Sequence, residues 1–284
     1  MRFKCVNIFL LFLSSFILSQ EFEYQKILGE FENATAFTLT PSGYFYITDA
    51  SKNEVVKLDT LDNLVQSIGG YGWDTSTFDE PVDVFATDLR VYVTDKNNNR
   101  VQVFDKDLNY LFLLKTDNHV EESRNFFYPT SCATSNQGDI YILDSDNSRI
   151  MKYNSEGVFL IEFGGYDSGN FSLVEPTDLG IAHDSKLFVL GDNIVTVFDQ
   201  FGMGLFTMKL NFSAINLNIT FDNLVINDDK NLYHLNLRNL DSKIKSITPS
   251  DLLGSSVIIE ALIFNSKLYL LTEKNILVYT IIKS

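Results

Sequence analysis

The sequence predicts an all-β fold: a six-bladed β-propeller built from four-stranded antiparallel blades and closed by its own N-terminal strand. The first observation behind this is a hairpin. Val91-Tyr-Val-Thr-Asp95 and Arg100-Val-Gln-Val-Phe-Asp105 alternate apolar and polar residues on either side of a polar turn. That is the period-two signal of paired strands around Asp/Asn turn chemistry. The second observation is recurrence. The same pattern returns as Tyr46-Ile-Thr-Asp49 with Val55-Val-Lys-Leu-Asp59, and as Tyr141-Ile-Leu-Asp144 with Arg149-Ile-Met-Lys-Tyr153. A repeat of about 46–49 residues is the length of one propeller blade. The third lies at the two ends of the chain, whose fragments each lack what the other supplies.

In chain order, residues 1–19 read as a secretory signal. Arg2 and Lys4 form the positive start, Val6 to Phe12 the apolar stretch, and Ser14, Ser15 and Ser19 the small residues before cleavage. The remaining residues, 20–284, form one domain with no linker, low-complexity tract or helical period. Once the signal is removed Cys132 is the single cysteine, so the mature fold needs no intramolecular disulfide. The sequence therefore predicts a secreted or periplasmic protein with no membrane insertion after signal removal.

The best copies begin with a strand introduced by proline: Pro81-Val-Asp-Val-Phe-Ala86, Pro129-Thr-Ser-Cys-Ala133 and Pro176-Thr-Asp-Leu-Gly-Ile-Ala182. The hairpin follows, and then a fourth strand ending in glycines, as in Leu64 to Gly70 and Phe159 to Gly165. The fourth copy shortens its turn to Gly191-Asp-Asn193. The fifth is worn, with strands over Ile215–Phe221, Asn223–Asn227 and Asn231–Leu237. The sixth runs through Glu260–Phe264, Lys267–Leu271 and Ile276–Tyr279, then stops before a fourth strand. At the other end, Tyr24-Gln-Lys-Ile-Leu-Gly29 matches a fourth strand with no hairpin before it. Joining the two completes a sixth blade and removes exposed strand edges.

These motifs carry a resemblance. Pro81-Val-Asp-Val, then Val91-Tyr-Val-Thr-Asp95, then Asn98-Asn-Arg100-Val-Gln-Val-Phe-Asp105 resembles the repeat of the NHL family of six-bladed propellers. Arg100 and Arg149 match the family's turn arginine, and Glu54 replaces it in the first copy. The resemblance implies a ring with a central channel. It leaves function open, because the family and its relatives include binding modules, lyases and lactonase-type hydrolases.

Charge narrows the classes. A net charge of −15 argues against nucleic acid and anionic membrane surfaces, which reward Lys/Arg patches. Aligning the first strands puts Ala36, Asp83, Ser131, Asp178, Asn216 or Asn218, and Glu260 at one level of the channel. Asp83, Asp178 and Glu260 thereby alternate around the ring. Converging carboxylates suit Ca²⁺, and related lactonases resemble this in holding one metal by innermost-strand Glu, Asn and Asp. The competing reading has Asp83 and Asp178 accepting backbone amides in the sharp strand entry after proline. The recurring Asp49, Asp95 and Asp144 are expected to accept amides inside their hairpins, beside Arg100 or Arg149.

In the loops between blades, Phe78, Phe127 and Phe171 are expected to wedge between neighbouring blades. Tyr71, Trp73 and Tyr166 have no such slot and are predicted to offer flat faces to a ligand. His119, His183 and His234 occupy unequal ring positions, which disfavours a three-histidine zinc site. Cys132 has no histidine placed to activate it. The leading expectation is a monomeric, non-enzymatic binding or scaffold protein that recognises a protein, peptide or glycan on the propeller's channel-mouth face through Tyr71, Trp73 and Tyr166. The alternative is a Ca²⁺-dependent, lactonase-like hydrolase or lyase with its site at the channel mouth, using Asp83, Asp178 and Glu260.

Overall fold

The chain enters the ring through β1 (Glu21–Leu28), which pairs antiparallel with the last strand, Ile276–Ile282, from Glu21↔Ile282 to Leu28↔Ile276. The four blades that follow each run outward from the axis in chain order. Blade 1 is β2 (Ala34–Leu39), β3 (Tyr44–Asp49), β4 (Glu54–Asp59) and β5 (Leu64–Gly69). Blade 2 is β6 (Pro81–Ala86), β7 (Arg90–Asp95), β8 (Arg100–Asp105) and β9 (Tyr110–Lys115). Blade 3 is β10 (Pro129–Thr134), β11 (Ile140–Asp144), β12 (Arg149–Tyr153) and β13 (Phe159–Phe163). Blade 4 is β14 (Pro176–Ile181), β15 (Leu187–Gly191), β16 (Ile194–Phe198) and β17 (Gly204–Lys209). Blade 5, the worn copy, is a full sheet: β18 (Asn216–Thr220), β19 (Asn223–Asn227), β20 (Leu232–Asn236) and a short β21 (Lys245–Ile247). Blade 6 is β22 (Glu260–Phe264), β23 (Lys267–Leu271) and β24 (Ile276–Ile282), with β1 as its outer strand. This computed structural model describes residues 21–115, 125–238, 245–247 and 256–282. The signal assigned to residues 1–19, and His119, lie outside the described residues. Among the described residues no helix is long and apolar enough to cross a membrane.

The core is a ring of six apolar seams, one between each pair of neighbouring blades. The seam between blades 1 and 2 joins Ala36, Tyr46 and Val55 to Val84, Val91, Val93 and Phe104. Phe78 fills it with no exposure at all. Phe171 is part-buried in the seam between blades 3 and 4, near Phe198. Between blades 2 and 3 the wedge is Phe126, not Phe127: Phe126 is buried in the seam and Phe127 only partly covered. The Phe127 amide is used instead, donating to Asp144 at 3.0 Å.

That bond belongs to a device repeated in the first three blades. Asp49, Asp95 and Asp144 are fully buried, and each binds the connection that leads into its own innermost strand. Asp49 accepts from the amides of Glu32 and Asn33, and Asp95 from that of Asp79. Arg100 lies against Asp95 at 2.7 Å and Arg149 against Asp144 at 2.9 Å. The hairpin carboxylates therefore tie the turn to the incoming loop, which extends the expected role within the turn. In blade 5 Asn227 replaces the acid and points donors at the carbonyls of Ile258 and Ile259.

A bulge follows the first residue of the innermost strand in blades 1 to 4, between Ala34 and Ala36, Pro81 and Asp83, Pro129 and Ser131, and Pro176 and Asp178. Three of these strands start at a proline, which has no N–H to give the ladder. Blades 5 and 6 pair without the bulge. Glu260 consequently sits opposite Leu271, one step nearer the hairpin turn than Asp83 and Asp178 sit in their own blades. Its extra methylene compensates for that offset.

Candidate functional site: the axial cavity and the aromatic loops

The six innermost strands enclose a cavity of about 660 Å³ on the ring axis, within the size range of small-molecule sites. Its inner end is a layer containing Asp83, Asp178 and Glu260. Its walls are Phe85, Leu179, Ile181, Leu217 and Ile219, and it runs to the first hairpin turns at Pro41, Leu89, Asn136 and His183.

The structure brings the three predicted acids together around one cavity and gives each the same partner. An oxygen of Asp83 accepts from the amide of Cys132 at 2.8 Å, one of Asp178 from Leu217 at 2.7 Å, and one of Glu260 from Phe37 at 2.9 Å. Each acid of an even blade thus holds the innermost strand of the next blade. Asp83 and Asp178 do accept backbone amides, but chiefly from the next blade and not in the strand entry after proline, where the competing reading placed them. Asp178 also accepts from its neighbour Leu179, and Glu260 from the Asn218 side chain at 2.6 Å.

Confinement and mutual repulsion govern the charges. Burial and the Asp178 charge push the Asp83 carboxyl up to about 7. Burial, then Asp178 and Asp83, hold the Glu260 carboxyl well above the usual range. Burial raises Asp178 as well. The Cys132 thiol, between Asp83 and the seam, is raised by burial and then by Asp83, which suppresses the thiolate a nucleophile requires. As a divalent-cation shell the acids fit poorly. Their oxygens face amide donors, and among the described residues no three His, Cys, Asp or Glu side chains cluster closely enough to hold a metal ion.

The aromatic residues lie elsewhere. Tyr71, Trp73 and Tyr166 are 69%, 75% and 97% exposed, on the connections from β5 to β6 and from β13 to β14. None of them lines the cavity, and they occupy two separate loops. Those loops meet the start of the innermost strands, whereas the cavity runs toward the ends of those strands, so the aromatic loops and the cavity mouth, expected on one face, lie on opposite faces. The Trp73 loop is held rigidly. Arg100 donates to the carbonyls of Trp73, Asp74 and Thr77, Gln102 donates to Thr77, and Asn98 donates to Gly72. Tyr166 begins a short 3-10 segment, Tyr166–Phe171. His183 is exposed at the cavity rim, and His234 bonds Asn223 in blade 5.

Sequence reasoning did not find Thr134, Arg90 and Tyr92 on the cavity wall. Strand alternation places Thr134 on the same face as Cys132, which was the available signal.

Residues 78–104, from the Phe78 wedge to the end of the second hairpin, match the family model described as the NHL repeat. The match spans β6, β7 and nearly all of β8 in the second blade. No curated protein sequence matches the chain. Among solved structures, the propeller is similar to a catalytically inactive virginiamycin B lyase from Staphylococcus aureus with quinupristin, at 12% identity and a TM-score of 0.66, covering 92% of this chain and 100% of that one. A selenomethionine-substituted form of the same lyase gives 12% identity and 0.63, covering 92% and 100%. A streptogramin B lyase gives 11% identity and 0.61, covering 93% and 98%. At such identities the likeness concerns the propeller fold alone.

Proposed function

We propose that this NHL propeller is a non-enzymatic binding protein outside the cytoplasm, which recognises a protein, peptide or glycan through Tyr71, Trp73 and Tyr166. The observation that carries the reading is the rigid display of Trp73. A buried Arg100–Asp95 pair is spent on fixing the carbonyls of a loop whose indole is left in water. Rigid aromatic side chains present large contact area at little entropic cost on binding. The apolar start of the chain and the net charge of −15 support an extracytoplasmic, soluble setting.

Trp73 is the only tryptophan, so its emission reports directly on this face. Titration with glycan and peptide panels is expected to give a saturable change in Trp73 fluorescence. Tyr71→Ala and Tyr166→Ala should each weaken binding about tenfold, as loss of an aromatic anchor does. A ligand that binds while the emission stays unchanged, and whose affinity both variants retain, overturns the reading.

A second reading, a lyase-like enzyme, draws support from the raised acid Asp83, a proton donor or acceptor poised near neutrality. Its site would be the cavity and not the aromatic face. Asp83→Asn therefore separates the two readings, because it leaves aromatic-face binding intact.

A further inference from the structure

We infer that the axial cavity is a second binding site, separate from the aromatic face, and that it takes a guanidinium group: a free guanidino compound or an arginine side chain. Size, shape and chemistry point the same way. The cavity is about 660 Å³ and has apolar walls around an acidic end, the form of a site for a cationic head on an apolar stem. One wall carries a hydroxyl open to the cavity. Thr134 lines it with only 6% exposure, and its hydroxyl makes no hydrogen bond among the described residues. It offers a ligand one donor and an acceptor.

The arrangement of the acids selects among cations. Asp83, Asp178 and Glu260 stand on three alternate blades, each tied to a backbone amide of the next. Both oxygens of Asp178 and both of Glu260 already accept one bond, and a carboxylate oxygen retains a further acceptor site after one such bond. The acids do not close around a single point, so a metal ion or an ammonium, with its charge at one centre, meets them poorly. A guanidinium spreads five N–H donors over three nitrogens and is less strongly hydrated than an ammonium, so it can address carboxylates on different strands. Its flat faces suit the Phe85 and Ile219 walls.

The other charged groups on the cavity are Asp88, Arg90 and His183, all nearer the mouth. Arg90 is turned to its own partners. Its guanidinium donates to the Ser155 carbonyl at 3.0 Å and lies over the Phe112 ring at 5.7 Å. It therefore leaves the acidic end uncompensated. A ligand cation that draws the acids into their charged form also releases protons. Affinity accordingly rises with pH through about 7, where Asp83 titrates.

The test is calorimetry on the full chain with methylguanidinium, N-acetylarginine methylamide and a pentapeptide with a central arginine, against n-butylammonium and Ca²⁺. Saturable millimolar or tighter binding of the guanidinium probes, with a heat that varies with buffer ionisation, is expected. Glu260→Gln should lose about tenfold in affinity, one charge-assisted hydrogen bond, and Thr134→Ala should lose less, whereas Trp73→Ala should bind as wild type. If only the small probe binds, the source is a free guanidino compound; tighter peptide binding assigns an arginine side chain. The inference is overturned by no saturable binding, by equal binding of n-butylammonium or Ca²⁺, or by full affinity in both Glu260→Gln and Thr134→Ala. Loss of binding in Trp73→Ala with retention in Glu260→Gln would move the site to the aromatic face and overturn it as well.

Discussion

At the scale of single residues, the three axial acids contribute inter-blade hydrogen bonds at the cost of confined charge. Asp83 illustrates the balance. Its folded carboxyl titrates near 7 against an ordinary value of 3.8, raised first by burial and then by Asp178. Between those values the folded state holds a proton that the unfolded chain has released, so stability falls as pH rises. Its contribution is complete below about pH 4 and lost through about pH 7, with a slope of up to about 1.4 kcal/mol per pH unit. Asp178 and Glu260, raised for the same reason, act in the same direction. Urea unfolding across this range should therefore show stability declining toward neutrality. Asp83→Asn, which still offers an oxygen to the Cys132 amide, should flatten the decline; an identical pH slope in the variant would refute the charge argument. The sequence made these acids legible as a set, because they recur after the strand-initiating prolines and at the start of the sixth copy. It did not reveal that each reaches into the next blade. That depends on how neighbouring inner strands approach each other, and on a bulge present at Asp83 and Asp178 and missing at Glu260.

At the scale of elements, hairpins with strict alternation were readable nearly to the residue. Val91–Asp95 and Arg100–Asp105 fall within β7 and β8. The fifth copy was readable in its first three strands and not in its fourth, because β21 is three residues long and has no glycine ending. Which loop phenylalanine fills a seam was also hidden. Phe126 and Phe127 are adjacent, and only the path of the loop into Pro129 chooses between them. The closing strand was legible because its absence from the sixth copy and its presence at the N-terminus are two halves of one pattern. In the fold, β1 covers the whole edge of β24, buries Leu28, and reaches blade 1 through the Gly29 amide on Asp62 at 2.7 Å and Lys26 on the Thr60 carbonyl at 2.5 Å. Deleting Glu21–Leu28 exposes a seven-residue edge, a template for pairing with another chain. Self-association by light scattering, with a Tm lowered by several degrees, is expected. A deletion variant that stays monomeric and melts like the full chain would show that β1 contributes nothing to closure.

At the scale of the whole molecule, the decisive feature is that blade 6 is drawn from both ends of the chain. To open between blades 6 and 1, the ring must break the β1–β24 ladder as well as the apolar seam of Phe37, Phe45, Leu262 and Tyr269, because β1 is covalently continuous with β2. Two circular permutants isolate that contribution. In both, Ile282 is joined to Glu21 by a short turn, which the register permits because these two residues face each other across the ladder. In the first, new ends are made between Gly29 and Glu30. All strands remain, but blade 6 becomes one continuous hairpin series and only side-chain packing spans the gap to blade 1. In the second, new ends fall in the turn between β8 and β9, so blade 2 is now shared between the two termini. Side-chain contacts are nearly the same in both, and only the second keeps a ladder across the break. The first permutant should therefore melt below wild type, by roughly 2–4 °C for each kcal/mol of closure lost in a domain of this size. It should also exchange amide hydrogens faster along β22 and β2. The second should melt within a degree or two of wild type, because its split blade restores the clasp. Equal melting of the two permutants would mean that the seams alone hold the ring, and that the N-terminal strand serves only to cover an edge.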